Sequence, residues 1–100
     1  MRRVMVRYQV KPEQADENVR RVQAVFAQLE REQPAGLRYM TFRLPDGVSF
    51  VHVASVEVAE NPLTALEAFK QFAGTIKDRC VEPPVTTELE VVGSYRFLDG

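Results

Sequence analysis

Apolar and polar residues alternate along residues 3–10, RVMVRYQV: Val4, Val6, Tyr8 and Val10 fall on one face, Met5, Arg7 and Gln9 on the other. Alternation at every second position predicts a β-strand. The period then changes. Over residues 14–32 the apolar positions are Ala15, Val19, Val22, Val25, Phe26 and Leu29, three or four apart, which predicts an amphipathic helix. Glu13, Asp16 and Glu17 near its start complement the helix dipole, and Pro34 and Gly36 stop it.

Alternation returns over residues 37–44, with Leu37, Tyr39 and Thr41 against Arg38, Met40, Phe42 and Leu44. Pro45, Asp46 and Gly47 then make a tight turn, since Pro presets φ, Asp accepts local hydrogen bonds and Gly tolerates positive φ. Residues 50–58, FVHVASVEV, therefore pair back as a hairpin. This strand is apolar on both faces: Phe50, His52, Ala54, Val56 and Val58 on one, Val51 and Val53 ahead of Ser55 and Glu57 on the other. Asn61 as N-cap and Pro62 in the first turn open a second helix. Its buried stripe is Leu63, Leu66, Phe69, Ala73, Ile76 and Cys80, and Gly74 weakens it by about 1 kcal/mol relative to Ala. Residues 82–84, EPP, end the crossover. Residues 85–97 predict a long last strand, with Gly93 at a bulge or bend.

The order β-α-β-β-α-β, with two right-handed crossovers and one hairpin, predicts an α+β fold: the split β-α-β, or ferredoxin-like, sandwich in a single domain over residues 1–100. Strands one and three, both rich in Val, take the centre, and strand four, with Glu88 and Glu90 on one face, takes an edge. Two helices cover one sheet face. The other is left with Val51 and Val53, or Phe50 and Val56, depending on register. A second copy of the chain, stacked sheet to sheet about a two-fold axis, is the economical cover, so a homodimer is expected.

Composition narrows the function classes. Thirteen Lys and Arg against fourteen Asp and Glu give no basic excess for nucleic acid. No apolar run approaches the roughly 20 residues of a membrane span. The single Cys80 forms no internal disulfide and fits a reducing cytoplasm. One Cys and one His make no ordinary zinc site, and no phosphate loop or dinucleotide fingerprint occurs, so no metal or cofactor is expected.

Several stretches together resemble a known family. A strand running into VKPE, a helix ending in REQPAGLRY, then SFVHVASVE, ALEAF and PPVTTELEVV are similar to the dimeric α+β barrels, and within them to the antibiotic biosynthesis monooxygenase-like domains. The resemblance covers nearly the whole chain, and VKPE with QPAGLRY is its most specific part. It implies a homodimer with a pocket between sheet and helices in each subunit. It also implies, for some members, oxidation of polycyclic phenols by molecular oxygen without metal or flavin. Haem-degrading relatives use an Asn on the first strand and a Trp and a His on the second helix. This chain has Met5 and Arg7 there, no Trp, and Phe69 where many relatives carry a His.

His52, the one histidine, is the candidate catalytic residue: a neutral imidazole that abstracts a phenolic or enolic proton, against a buried histidine hydrogen-bonded to a carbonyl, Tyr or Ser. Tyr8 and Tyr39 are candidates for orienting an aromatic ligand, as is Tyr95, against tyrosines with their hydroxyls at the rim. Arg38 on the second strand would favour an acidic or phenolate ligand if it faced the pocket, while Arg7 and Arg43 compete with surface roles. Phe69 and Phe72, with Leu66 and Ile76, wall a pocket or make plain core. Cys80 is read as buried and inert at the helix end. Two functions follow: a cofactor-free monooxygenase acting on a small aromatic or enolisable molecule, or a non-catalytic ligand-binding or housekeeping dimer.

Overall fold

The computed structural model describes residues 1–97. Its elements are β1 (Arg2–Val10), α1 (Ala15–Glu32), β2 (Leu37–Arg43), β3 (Ser49–Val56), α2 (Glu67–Arg79) and β4 (Cys80–Glu88), with short 3-10 turns at Pro12–Gln14 and Pro62–Ala65. The four strands form one antiparallel sheet in the order β2-β3-β1-β4. The expected ferredoxin-like topology is present, with the two Val-rich strands central and β4 at an edge.

Both helices pack on one sheet face. β1 presents Tyr8 and Val10 to them, and β3 presents Phe50, His52, Ala54 and Val56, all buried. The helices answer with Val22 and Val25 from α1 and Phe72 and Ile76 from α2, and Leu63 and Leu66 fill the gap ahead of α2. Tyr8 stacks on Phe50 with ring centroids 5.6 Å apart. Burying one such ring contributes about 1.5–3 kcal/mol.

Register settles which residues face away from the helices. Met5 lies opposite Val53 and Thr87, Val53 opposite Met40, and Val51 opposite both Arg7 and Phe42. The open face therefore carries Met5, Met40, Phe42, Val51, Val53 and Val85, while Phe50 and Val56 belong to the core.

Three boundaries differ from the sequence reading. The second helix is divided. Pro62 starts a 3-10 turn capped by the Asn61 side chain, Leu66 is extended (φ −79°, ψ 130°), and only then does α2 begin. The break lets Leu63 and Leu66 both insert into the core. The start of α2 has no local side-chain cap; Gln28 of α1 accepts from the Ala68 amide at 2.9 Å instead. Second, β4 begins at Cys80, directly after α2, so Cys80 stands on a strand, half-buried, and not on a helix. Burial pushes its thiol pKa up. The EPP stretch lies inside that strand. Pairing jumps from Gln9–Glu82 to Arg7–Val85, leaving Pro83 and Pro84 opposite Tyr8 alone as a bulge. The bulge leaves both prolines outside the ladder pairing, and an edge strand tolerates the missing donors. Third, β4 ends at Glu88, not at residue 97. Its pairing ends near the start of β1: Val4 pairs with Glu88, and Leu89 N–H donates to the Arg3 carbonyl (2.9 Å). Gly93 thus lies outside any strand.

Candidate functional site

A partly open cavity of about 290 Å³ lies between the sheet and α2. Its walls are mainly apolar: Val4 and Val6 of β1, Leu63, and Phe69, Phe72 and Ile76 along α2. Tyr8, Tyr39 and His52 make its polar end. A larger concavity of about 600 Å³ lies on the other side of the sheet, between Arg3, Arg38, Ser55 and the tail from Leu89 to Phe97. It is bounded by exposed tail residues and holds no buried titratable group. The smaller cavity is the candidate site, because titratable side chains converge there.

Strand alternation brings them together. Tyr8 of β1, Tyr39 and Thr41 of β2, and His52 of β3 all point to the helix side, and Thr41 is the cross-strand partner of His52. His52 is nearly fully buried. Its Nε2 lies 2.8 Å from the Tyr8 hydroxyl; its Nδ1 lies 2.6 Å from the Tyr39 hydroxyl and 3.1 Å from Thr41 Oγ1. The network continues into the helices. Asn18 Nδ2 donates to the Tyr8 oxygen at 2.8 Å, and Arg79 Nε donates to Asn18 Oδ1 at 3.1 Å. Arg79 also donates to Thr75 Oγ1 (2.7 Å) and to the Phe72 carbonyl (3.4 Å), and its guanidinium lies over the Phe72 ring. Arg79 is only 4% exposed, and its charge is held by neutral acceptors and a ring face.

Burial sets the protonation states. It lowers the His52 pKa from 6.5 to about 4, so the imidazole is neutral at pH 7. It pushes Tyr39 up to about 12, against a hydrogen bond from Thr41 that acts the other way. Burial raises Tyr8 further, with the Asn18 hydrogen bond opposing. At neutral pH the cluster is therefore two phenols around a neutral imidazole, with one fixed cation two hydrogen bonds away.

Of the candidates from sequence, His52, Tyr8, Tyr39, Phe69 and Phe72 share this cavity. Arg38 lies on the opposite face of the sheet, where its Nε is 3.5 Å from Glu57. Tyr95 is 82% exposed on the tail, and Arg43 bonds the Gly47 carbonyl in the hairpin turn. Asn18, Thr41 and Arg79 escaped the sequence reading. Asn18 and Arg79 carried a visible signal. Each is a polar residue in phase with an apolar helical stripe, Asn18 with Ala15, Val22 and Val25, and Arg79 with Phe72 and Ile76. Among the described residues no group of three His, Cys, Asp or Glu side chains converges as metal ligands would, and no helix is long and apolar enough to cross a membrane.

The architecture has close counterparts among solved structures. One described as an antibiotic biosynthesis monooxygenase superposes with a TM-score of 0.71 over 93% of this chain and 100% of its own, at 19% identity. A Mycobacterium tuberculosis protein matches with a TM-score of 0.73, 15% identity, and 93% and 96% of the two chains covered. A Pseudomonas aeruginosa protein matches with a TM-score of 0.73, 16% identity, and coverage of 92% and 94%. No family profile matches the chain, and no curated protein matches it in sequence. The chain thus has the fold of the antibiotic biosynthesis monooxygenase-like proteins, a ferredoxin-like α+β sandwich.

Proposed function

We propose that this chain binds a compact aromatic or enolisable molecule in the cavity between sheet and α2, and oxygenates it with molecular oxygen and no cofactor. The observation that carries the reading is the cavity's division into an apolar body and one polar end at Tyr8, Tyr39 and His52. Such a shape encloses a flat ring system and meets a single oxygen atom on it. Hydrogen bonding to that oxygen stabilises the enolate or phenolate over its neutral form. The anion can pass one electron to oxygen and recombine with the superoxide at carbon. Loss of water from the resulting hydroperoxide converts a CH₂ group and O₂ into a carbonyl and water. Fold neighbours described as monooxygenases support the reaction class.

A second reading, binding without turnover, is favoured by His52 itself. Both its nitrogens lie against hydroxyl groups, and a pKa near 4 makes it a weak base. An oxygen electrode and a calorimeter separate the two. The enzymatic reading expects oxygen uptake with a panel of hydroxynaphthalenes and anthrones, unaffected by chelator. Saturable heat without oxygen uptake leaves a binding protein, and neither signal across the panel removes the pocket assignment. Assembly belongs to the same proposal. Two copies stacked through Met5, Met40, Phe42, Val51 and Val53 would cover the open face, which is too apolar to suit water.

A further inference from the structure

We infer that Arg79 and Asn18 fix the direction of every hydrogen bond in the buried network, so that the cavity offers its ligand a donor, the Tyr39 hydroxyl, and selects a molecule with an accepting oxygen. The inference rests on the pocket reading above and gives it a ligand class. A guanidinium only donates. Arg79 Nε therefore fixes the oxygen of the Asn18 amide toward itself, and the amide nitrogen must point at Tyr8. The Tyr8 oxygen then receives a hydrogen from Asn18. Tyr8 is buried, and among the described residues the protein acceptor within reach of its own hydrogen is His52 Nε2, at 2.8 Å. With Nε2 accepting, the neutral imidazole carries its hydrogen on Nδ1.

That hydrogen points at the Tyr39 oxygen, 2.6 Å away, with Thr41 Oγ1 sharing it at 3.1 Å. Thr41 also hydrogen-bonds Tyr39. Nδ1, Tyr39 and Thr41 together hold three hydrogens, and the bonds among them use two. Thr41 is half-buried and does not line the cavity, and a hydroxyl hydrogen left without an acceptor is costly, so Thr41 donates to Tyr39. The hydrogen left over is that of Tyr39, which does line the cavity. The opposite polarity fails at Tyr8. If Nε2 donated, the Tyr8 oxygen would accept twice, and its own hydrogen, on a residue only 2% exposed, would have no protein acceptor. The preferred ligand therefore presents a carbonyl, enolate or phenolate oxygen, and Arg79 and Asn18 are positioning residues that act through Tyr8 and His52.

The chain has one histidine, so its tautomer can be read without ambiguity. Long-range ¹⁵N–¹H correlation spectra of labelled, ligand-free protein at pH 7 should show Nδ1 protonated and Nε2 bare. The reverse pattern overturns the inference. Asn18→Asp supplies the second arm. A carboxylate accepts from Arg79 as before but must also accept from Tyr8, which turns the network round. The tautomer should switch to Nε2–H, and a folded variant that keeps Nδ1–H also overturns the inference. Ligand preference should follow. 1-Indanone, whose carbonyl only accepts, should bind the wild type roughly tenfold more tightly than indole, whose N–H only donates, since one hydrogen bond is worth about that factor. In Asn18→Asp the order should reverse. An unchanged preference overturns the ligand class. If neither bicycle binds, the pocket reading falls and takes the ligand class with it, while the tautomer still decides the direction of the network.

Discussion

His52 shows how one residue's surroundings outweigh its ordinary chemistry. In solution its imidazole titrates near neutrality. Between two tyrosines and a threonine in the core it stays neutral down to a pKa of about 4. The unfolded chain binds a proton at His52 around pH 6.5, and the folded chain does not until near pH 4. Between those values the unfolded state holds more protons, so stability falls as pH falls. The full loss is on the order of 3 kcal/mol, complete below about pH 4. Glu17 and Asp46 also have lowered pKa values, held by the Arg20 side chain and by Ser49 respectively, but they act below their ordinary 4.5 and 3.8. Urea titrations at pH 7, 5.5 and 4.5 should therefore show a decline that His52→Gln flattens. A wild-type stability independent of pH across that range would contradict the burial assigned to His52.

At the scale of elements, two glycines make opposite demands. Gly36 leads into β2 at φ +79°, and a Cβ there would collide with the Val58 side chain. Its carbonyl accepts from the Glu57 amide at 2.8 Å, so the chain cannot easily shift away. Gly36→Ala is expected to destabilise by about 1–3 kcal/mol. Gly74 sits within α2 with open space around the position of a Cβ. Gly74→Ala should stabilise by about 0.5–1 kcal/mol through helix propensity. Thermal melts of the two variants should move to opposite sides of the wild type. Equal shifts would mean that the helix boundaries or the Gly36 turn are misplaced. The hairpin between β2 and β3 follows the same local logic: Asp46 accepts from the Val48 and Ser49 amides and from the Ser49 hydroxyl.

For the whole molecule the open face is the deciding feature. Phe42 and Val85 are 42% and 63% exposed there, beside the more sheltered Met5, Met40, Val51 and Val53. Light scattering coupled to size exclusion at micromolar concentration should give twice the chain mass. Val53→Glu places a charge at the centre of that face, beside Met5 and Met40. It should yield a folded monomer with unchanged far-ultraviolet circular dichroism, because the core lies on the other side of the sheet. A wild type that is monomeric at that concentration, or a Val53→Glu variant that remains dimeric, would place the interface elsewhere.

Local pattern sufficed for much of this. The alternation through Tyr8, the helical stripe through Val22 and Val25, the Pro45–Gly47 turn and the apolar character of β3 are each read within a few residues of chain. Together with the handedness of crossovers they determine the sheet order and place Tyr8, Tyr39 and His52 on strands. Ends of elements were less legible, because they depend on partners distant in sequence. β4 stops near the start of its partner β1, and α2 starts where Gln28 of α1 can cap it. Arg38 could not be assigned to a face until register was known, since a slip of one residue exchanges the two faces of a strand. The polar core was decided by tertiary structure alone. Asn18, His52 and Arg79 are separated by tens of residues, and hydrogen bonding among them exists only once both helices have docked on the sheet. Sequence supplied the groups. Packing supplied their distances, their exclusion from water and the pKa values that follow from it, because desolvation is a property of the assembled core and not of any segment.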